Sequence, residues 1–389
     1  MNQLVSSLKS QTVLGILGSG QLARMTALAA SELGIITHIF CSESEISPAE
    51  HIASKTFKGS LADKIEILKF CEKCDFITLE NEFIDQDILD AIDSNFPNRL
   101  FPNSKTFKLI GDKISEKESF QKAGIKIAPF ARIQNINDVK AFCKTHGYPV
   151  VLKSAKGGYD GYGNCTIKNE GQIKASILKL KANDPARVLL VEAFIPYEAE
   201  LAIMIARNKS EMVTYPIAHT IQENHICHYV SVPATLSNKI EAEIIENAKK
   251  AMTAIDAIGI FAFEFFLTKN GELYLNESAP RPHNSGHYTI EGAITGQFHN
   301  HVRSVLNLPL GLTSLRSPYI MMLNLLGTQN APAELKNASD FLKVSDGHLH
   351  LYGKKLSKVG RKMGHFTLLG NNQKEMQKIL EKLKSEYSL

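Results

Sequence analysis

Apolar and polar residues at the start of the chain alternate in the pattern of a βαβ unit. Thr12-Val-Leu-Gly-Ile-Leu predicts a buried strand, a helix opens at Gly18-Ser-Gly-Gln-Leu-Ala and extends to about Leu33, and a second apolar strand covers residues 35–40. The glycines permit a tight turn and bring backbone amides close to a group bound at the helix N-terminus. The pattern therefore predicts an open α/β domain at the start of the chain.

The pattern beyond this unit predicts a second region of mixed helices and strands. A strand over 76–83 ends in Glu80 and Glu82, and the linker Phe101-Pro-Asn-Ser follows. The remaining predicted elements are a helix over 106–124, a helix over 137–145, strands over 148–154, 188–195 and 200–206, a helix over 238–258 and a hairpin over 260–276. A chain of 389 residues exceeds what one core organises, so we expect domains at 1–104, 105–305 and 306–389.

The predicted hairpin carries the most informative chemistry. Asn270-Gly271 favours a two-residue type I′ turn, and with that turn Glu264 lies directly opposite Glu277, with Cβ atoms roughly 4.5–5.5 Å apart. Opposed carboxylates among apolar residues are best explained by a bridging divalent cation, and oxygen ligands favour magnesium bearing nucleotide phosphates. The alternative is two solvated glutamates on an exposed sheet edge. Strict alternation points Asn276 to the other face.

A glycine-rich segment supplies a second candidate element. Gly157-Gly-Tyr-Asp-Gly-Tyr-Gly-Asn follows the strand that carries Lys153, and its backbone amides suit phosphate oxygens. Lys153 and Lys113 can point cations at the same phosphates. The alternative for the loop alone is a flexible turn, and a single lysine of this kind is more often a surface charge. Together with the hairpin they indicate phosphoryl transfer, although the P-loop and protein-kinase motifs are absent from the sequence.

Composition narrows the class of protein only slightly. A hydrophobic fraction of 44% and a charged fraction of 22% are ordinary for globular proteins, and a net charge of +4 with dispersed lysines predicts no nucleic-acid partner. The sequence lacks a signal-peptide pattern and an apolar run of roughly 18 residues, so we expect a cytoplasmic protein without a membrane partner. The six cysteines have no regular spacing, and we expect reduced thiols.

Four motifs carry a resemblance to a known family. Gly18-Ser-Gly-Gln-Leu-Ala-Arg-Met, the loop at 157–163, Asn276-Glu-Ser-Ala-Pro-Arg-Pro-His-Asn-Ser-Gly-His and Gly360-Arg-Lys-Met-Gly-His resemble the N5-carboxyaminoimidazole ribonucleotide synthetases of the ATP-grasp superfamily. The resemblance covers nearly the whole chain. It implies an α/β and α+β fold with a Rossmann-like N-terminal domain, a central ATP-grasp domain of two subdomains around ATP, and a small C-terminal domain that closes the substrate site.

The resemblance also implies roles for individual residues. It assigns contacts with ATP to Lys113, Lys153, Gly158, Tyr159, Asp160, Gly161, Tyr162, Gly163, Asn164, Glu192, Ala193, Phe194, Ile195, Glu200, Asn276 and Glu277. It assigns 5-aminoimidazole ribonucleotide to Gln21, Leu22, Glu80, Tyr159, Asp160, His283, Asn284, Lys354 and Arg361, the last two at its 5′-phosphate. Tyr159, Asp160 and Lys354 are the implied catalytic residues, with Asp160 as base. Glu264 and Glu277 would hold Mg²⁺, with Mn²⁺ as a substitute.

The implied reaction uses ATP and bicarbonate to carboxylate the exocyclic amine of the ribonucleotide through carboxyphosphate. The family also suggests a homodimer and a companion mutase as pathway neighbour. Tyr162 and Asn164 depart from the family, which commonly has arginine and glutamine there. Lys156 and Arg281 are candidates to replace the missing cation, and His283 and His287 are alternatively structural or a metal pair.

Three other functions compete with this interpretation. One is another ATP-grasp ligase, such as a formate-using glycinamide ribonucleotide enzyme or a biotin carboxylase. A second is a nicotinamide oxidoreductase built on the first glycine loop, although the second strand lacks the acidic ribose anchor and Glu43 is the first candidate beyond it. The third is a nucleotide-binding protein without catalytic activity.

Overall fold

The computed structural model describes residues 8–9, 11–42, 47–157, 163–223 and 226–389. Its first unit is a parallel sheet of strand order β3-β2-β1-β4 with flanking helices. The elements are β1 Val13–Leu17, α1 Gln21–Ser31, β2 Ile36–Cys41, β3 Lys55–Lys58, α2 Lys64–Cys71, β4 Phe76–Leu79 and α3 Gln86–Asn95. The parallel pairing of β1 with β2 confirms the predicted βαβ unit. Strand β4 is shorter than predicted, so Glu80 and Glu82 lie just beyond its carboxyl end.

The second unit begins with two helices and continues into an antiparallel sheet of order β5-β8-β6-β7. Its elements are α4 Ser104–Ile110, α5 Lys113–Lys122, β5 Phe130–Ile133, α6 Ile136–His146, β6 Val150–Ser154, β7 Asn164–Ile167, α7 Ile173–Lys181 and β8 Leu189–Ala193. The prediction of one helix over 106–124 was wrong. Asp112 accepts hydrogen bonds from the backbone N–H groups of Ile114 and Ser115, both at 2.9 Å, and thereby starts a new helix.

The third unit contains the predicted hairpin within a large antiparallel sheet. Its elements are β9 Tyr197–Arg207, β10 Met212–Thr214, β11 Ala218–Glu223, β12 Ile226–Val232, α8 Asn238–Ala254, β13 Gly259–Thr268, β14 Leu273–Ala279, α9 Thr289–Gly292 and α10 Gln297–Val305. Phe261, Phe263 and Phe265 of β13 pack with α8 in a buried core. The opposite face of β13 therefore carries the alternate residues, including Glu264.

The last part of the chain extends the same sheet. Its elements are β15 Tyr319–Leu326, β16 Ala331–Pro332, α11 Ala338–Leu342, β17 Gly347–Leu351, β18 Leu356–Ser357, β19 Lys362–Gly370 and α12 Gln373–Glu386. Pairing of β12 with β15 joins β15, β19 and β17 to the sheet in the order β14-β13-β9-β11-β12-β15-β19-β17, whereas β16 and β18 pair with each other. The sheet thus runs across the predicted boundary at 305/306. Among the described residues, every helix is too short or too polar to cross a membrane.

Candidate active site

The β13–β14 hairpin places Glu264 directly opposite Glu277, as predicted, but by a different route. The predicted two-residue turn was wrong: Thr268 accepts a hydrogen bond from Gly271 at 2.9 Å and donates one to Glu272 at 3.0 Å, which leaves a three-residue loop. Gly271 has φ +76°, the left-handed conformation that such a loop requires. Phe265 then pairs with Leu275, one residue out of the predicted register.

A β-bulge at Asn276 restores the register. The pairing shifts between Glu264 and Phe265, so Asn276 is the extra residue of β14. Strict alternation is broken there, and the expectation that Asn276 points away from the site was wrong. Its side-chain oxygen lies 3.5 Å from the Lys153 ammonium. The bulge thus brings Asn276 and Glu277 to the same cleft.

The two opposed carboxylates have different electrostatic surroundings. Lys113 lies 2.9 Å from Glu277, and its charge outweighs burial, so the pKa of Glu277 is lowered to about 2. Burial and the charges of Glu277 and Glu200 raise the pKa of Glu264 well above its usual range. A divalent cation would relieve this repulsion, and Mg²⁺ commonly binds one or two carboxylates together with substrate phosphates. The donor set therefore fits a magnesium–nucleotide complex.

A buried ionic network lies beside the hairpin. Glu192 of β8 accepts from Lys153 at 2.8 Å through one oxygen, and its other oxygen lies 3.1 Å from Lys117 of α5. Burial alone would raise the pKa of Glu192, but the two lysines lower it to about 2. The network holds the Lys153 ammonium rigidly at the end of β6. Glu192 thus positions cations here through its side chain.

Glu200 and its neighbours form the adjoining wall. Gln222 donates a hydrogen bond to Glu200 at 2.5 Å, while burial and the Glu277 charge raise the pKa of Glu200 to about 7. Of the other predicted nucleotide residues, Ile195 is buried and Phe194 exposes its ring. Ala193 is tied by its backbone N–H to Pro129. An exposed aromatic ring suits contact with a base, and a carboxylate suits ribose hydroxyls.

The first glycine loop surrounds a carboxylate of the protein itself. Glu80 accepts hydrogen bonds from the backbone N–H groups of Gly20 at 2.5 Å and Leu22 at 3.2 Å. A Cβ atom at Gly18 or Gly20 would collide with the Glu80 side chain. The glycines therefore admit Glu80 to the position that a dinucleotide pyrophosphate would occupy, which argues against the nicotinamide alternative. Gln21 begins α1 at the same point; Glu43 lies outside the described residues.

Residues after the hairpin connect it to the N-terminal unit. Arg281 donates to both carboxylate oxygens of Glu82, at 2.7 and 3.2 Å. His283 lies 3.8 Å from Glu264 and 2.8 Å from the Ser285 hydroxyl. Asn284 exchanges two side-chain hydrogen bonds with Asn324, at 2.7 and 2.8 Å, so its amide group is held by the protein. The Arg281 guanidinium thus forms an ion pair with Glu82 in this structure.

The predicted phosphate residues lie at the C-terminal part of the sheet. Lys354 donates to the backbone carbonyl of Lys362 at 2.6 Å, and Arg361 donates to that of Leu356 at 3.0 Å. Lys362 lies close enough to Glu264 for its charge to oppose, without reversing, the rise in the pKa of that carboxyl that burial causes. Segment 354–362, which carries Lys354, Arg361 and Lys362, therefore reaches the side of the cleft that holds Glu264.

Gly158, Tyr159, Asp160, Gly161 and Tyr162 lie outside the described residues. Next to them, Gly163 has φ +86° and its carbonyl accepts from Ser154, and Asn164 pairs with Lys153 across β6 and β7. The C-terminal end of the glycine-rich segment is therefore fixed beside Lys153. Lys156, the other candidate replacement cation, is exposed.

Sequence reasoning missed Lys117, Glu116 and Gln222, which contact predicted site residues. The only signal for Lys117 was its spacing of four from Lys113, which places both on one face of a helix. His287 is buried, lies 2.9 Å from Gln297 and packs near His365. Its pKa is lowered well below its usual range by burial, which supports the structural interpretation.

Comparison with known proteins gives a consistent picture. Residues 11–111 match the ribonucleotide synthetase preATP-grasp domain, 118–298 the ATP-grasp domain, and 321–379 the phosphoribosylaminoimidazole carboxylase C-terminal domain. The chain is 35% identical to the N5-carboxyaminoimidazole ribonucleotide synthase of Bacillus subtilis, covering 95% of each chain. It is 36% identical to the phosphoribosylaminoimidazole carboxylase of Ogataea methanolica, covering 95% of this chain and 68% of that protein.

A similar solved structure is that of the N5-carboxyaminoimidazole synthase of Aspergillus clavatus in complex with ADP and 5-aminoimidazole ribonucleotide. It superposes with a TM-score of 0.88 at 31% identity, covering 97% of this chain and 98% of that one. The fold and domain order of the two proteins are therefore alike along nearly their whole length.

Proposed function

The chain belongs to the family of N5-carboxyaminoimidazole ribonucleotide synthases, and we propose that it carboxylates the exocyclic amine of 5-aminoimidazole ribonucleotide with ATP and bicarbonate. It is an ATP-grasp enzyme of purine biosynthesis. The observation that carries the proposal is the convergence of Glu264, opposed to Glu277, with His283 at 3.8 Å. That contact joins the nucleotide side of the cleft to the side of the proposed substrate residues.

The reaction proceeds in two steps. An oxygen of bicarbonate attacks the γ-phosphorus of ATP, the bond to the β-phosphate oxygen breaks, and ADP leaves. The amine nitrogen then takes the carboxyl group of carboxyphosphate, releasing inorganic phosphate and one proton. Positioning and charge neutralisation dominate in such phosphoryl transfers, and exclusion of water protects the short-lived anhydride.

The residues of this chain divide the work by charge. Lys113 and Lys153 neutralise phosphate oxygens, and Glu192 keeps Lys153 in place at 2.8 Å. Glu264 and Glu277 would hold Mg²⁺ or Mn²⁺, and the cation would supply positive charge to offset that of the nucleotide phosphates. Glu200 accepts hydrogen bonds from the ribose hydroxyls, most strongly as the carboxylate, and its pKa of about 7 places its ionisation near neutral pH.

Residues from distant parts of the chain form the proposed substrate side. Glu80, held by the amides of the first glycine loop, faces the imidazole with Gln21 and Leu22. His283 and Asn284 line the cleft, and Lys354 and Arg361 take the 5′-phosphate, because a dianion is best bound by cations with several donors. Asp160 accepts the amine proton, assisted by Tyr159.

We also propose that the protein is a cytoplasmic homodimer and that its product passes to a mutase.

The test measures ADP release by the purified protein with Mg-ATP and bicarbonate, with and without 5-aminoimidazole ribonucleotide. We expect the ribonucleotide to stimulate ADP release at least tenfold. The Glu277→Gln variant should release ADP about 100-fold more slowly, because it lacks one of the two carboxylates that would hold the divalent cation. Glu272→Gln, at the exposed end of the same hairpin, is the matched control. ATP cleavage at the same rate with and without the ribonucleotide would rule out this substrate. The function of another ATP-grasp ligase would then be the remaining interpretation.

A further inference from the structure

Helix α5 contacts three consecutive residues of the bulged strand. Lys117 donates to the backbone carbonyl of Asn276 at 3.4 Å, and Lys113 pairs with the Glu277 carboxylate at 2.9 Å. Glu116 accepts from both the backbone N–H of Ser278 at 2.8 Å and its hydroxyl at 2.6 Å. Each of these three side chains thus contacts one residue of segment 276–278.

These contacts fall where the strand departs from regular pairing. The bulge removes Asn276 from the ladder with β13, so its carbonyl needs a donor from elsewhere. Lys117 is such a donor, and it also forms an ion pair with Glu192, which in turn pairs with Lys153. The helix therefore links the bulge to Lys153, the cation to which the proposed function assigns the phosphates.

The burial of Glu116 and Lys117 makes their contacts energetically important. Glu116 is 5% exposed and Lys117 is 2% exposed, so neither charge is solvated by water in place of its partners. A buried charge deprived of its partner is strongly destabilising, which makes the paired geometry much more favourable than a displaced strand. Segment 276–278 is thus held on the side of α5 in a single conformation.

We propose that Glu116 and Lys117 are positioning residues that fix segment 276–278 so that Glu277 is presented to a divalent cation carried by a nucleotide. This inference rests on the proposed function for the identity of the site. Neither residue touches the reacting groups. They act through Ser278 and Asn276, in the way that partners of metal ligands orient those ligands.

The test measures Mn²⁺ binding in the presence of ATP by electron paramagnetic resonance, without the imidazole ribonucleotide. Loss of a group that orients a metal ligand typically weakens metal binding 10- to 100-fold, so we expect about tenfold weaker binding in Glu116→Leu and in Lys117→Met. Glu116→Gln keeps an oxygen for Ser278 and should retain binding within about threefold. Exposed positions of the same helix give the matched controls Glu118→Leu and Lys122→Met.

Ser278→Ala guards against variants that do not fold, because Ser278 is partly exposed and loses only the hydroxyl contact. We expect about threefold weaker Mn²⁺ binding from the loss of one hydrogen bond of roughly 0.7 kcal/mol. Unchanged affinity in Ser278→Ala together with unchanged affinity in Glu116→Leu would overturn the inference. Because the ribonucleotide is omitted, a wild type that binds Mn-ATP but is not stimulated by the ribonucleotide rejects the proposed substrate alone.

Discussion

At the scale of single residues, the two facing glutamates of the hairpin are in unequal positions. Glu277 has the Lys113 ammonium at 2.9 Å, whereas Glu264 has the His283 imidazole at 3.8 Å. One carboxylate is therefore stabilised as an anion and the other is destabilised by burial and by its neighbour. Such an imbalance sacrifices stability for a site that a cation completes.

Glu264→Gln should stabilise the protein without metal while abolishing ATP-dependent metal binding. The raised pKa means that folded Glu264 binds its proton more tightly than unfolded Glu264, so its contribution to stability is lost as the pH rises above about 4.5. Thermal unfolding in a chelator should favour the variant increasingly as the pH rises above about 4.5, the ordinary pKa of a glutamate. Exposed Glu118→Gln is the control, and a variant advantage that shrinks with pH would contradict the interpretation.

At the scale of elements, the hairpin shows two departures from regularity that cancel. The three-residue loop shifts the register by one residue, and the bulge at Asn276 shifts it back. Glu264 therefore lies opposite Glu277 both with the predicted two-residue turn and with the observed three-residue loop. The position of Asn276 does not, because only the bulge turns its side chain toward Lys153.

Gly271→Ala should lower the free energy of unfolding by about 1 kcal/mol without changing activity. The cost is backbone strain alone, because the residue has φ +76° and open space where a Cβ atom would lie. Gly271→Asn should cost about half as much, since asparagine tolerates the left-handed conformation better. Urea denaturation measures both, and equal stability of Gly271→Ala and wild type would refute the three-residue loop.

At the scale of the whole molecule, helix α10 joins the N-terminal unit to the rest. Phe298 and Val302 of α10 pack into one buried cluster with Leu14 and Ile16 of β1. His301 of the same helix lies 3.0 Å from Thr78 of β4. The N-terminal unit thus shares its core with a helix that follows it by almost 200 residues.

Phe298→Ala should weaken the N-terminal sheet, although the residue lies far from it in sequence. The side chain is 2% exposed, and its removal from a packed core costs about 3–5 kcal/mol. Hydrogen exchange of the β1 amides should accelerate strongly, while Leu342→Ala, at a position 70% exposed, should leave it unchanged. Unaltered β1 protection in Phe298→Ala would show that the cluster does not couple the two units.

The sequence by itself determined the βαβ start, the opposed Glu264 and Glu277, and the motifs of the family, because these depend on residue type and on spacing within one element. Only the tertiary structure decided the partners of those residues: Glu80 within the first glycine loop, Arg281 on Glu82, and α5 against the bulged strand. The physical reason is that buried charges choose partners by proximity in space. Partners separated by 60 to 199 residues leave no periodic signal in the sequence.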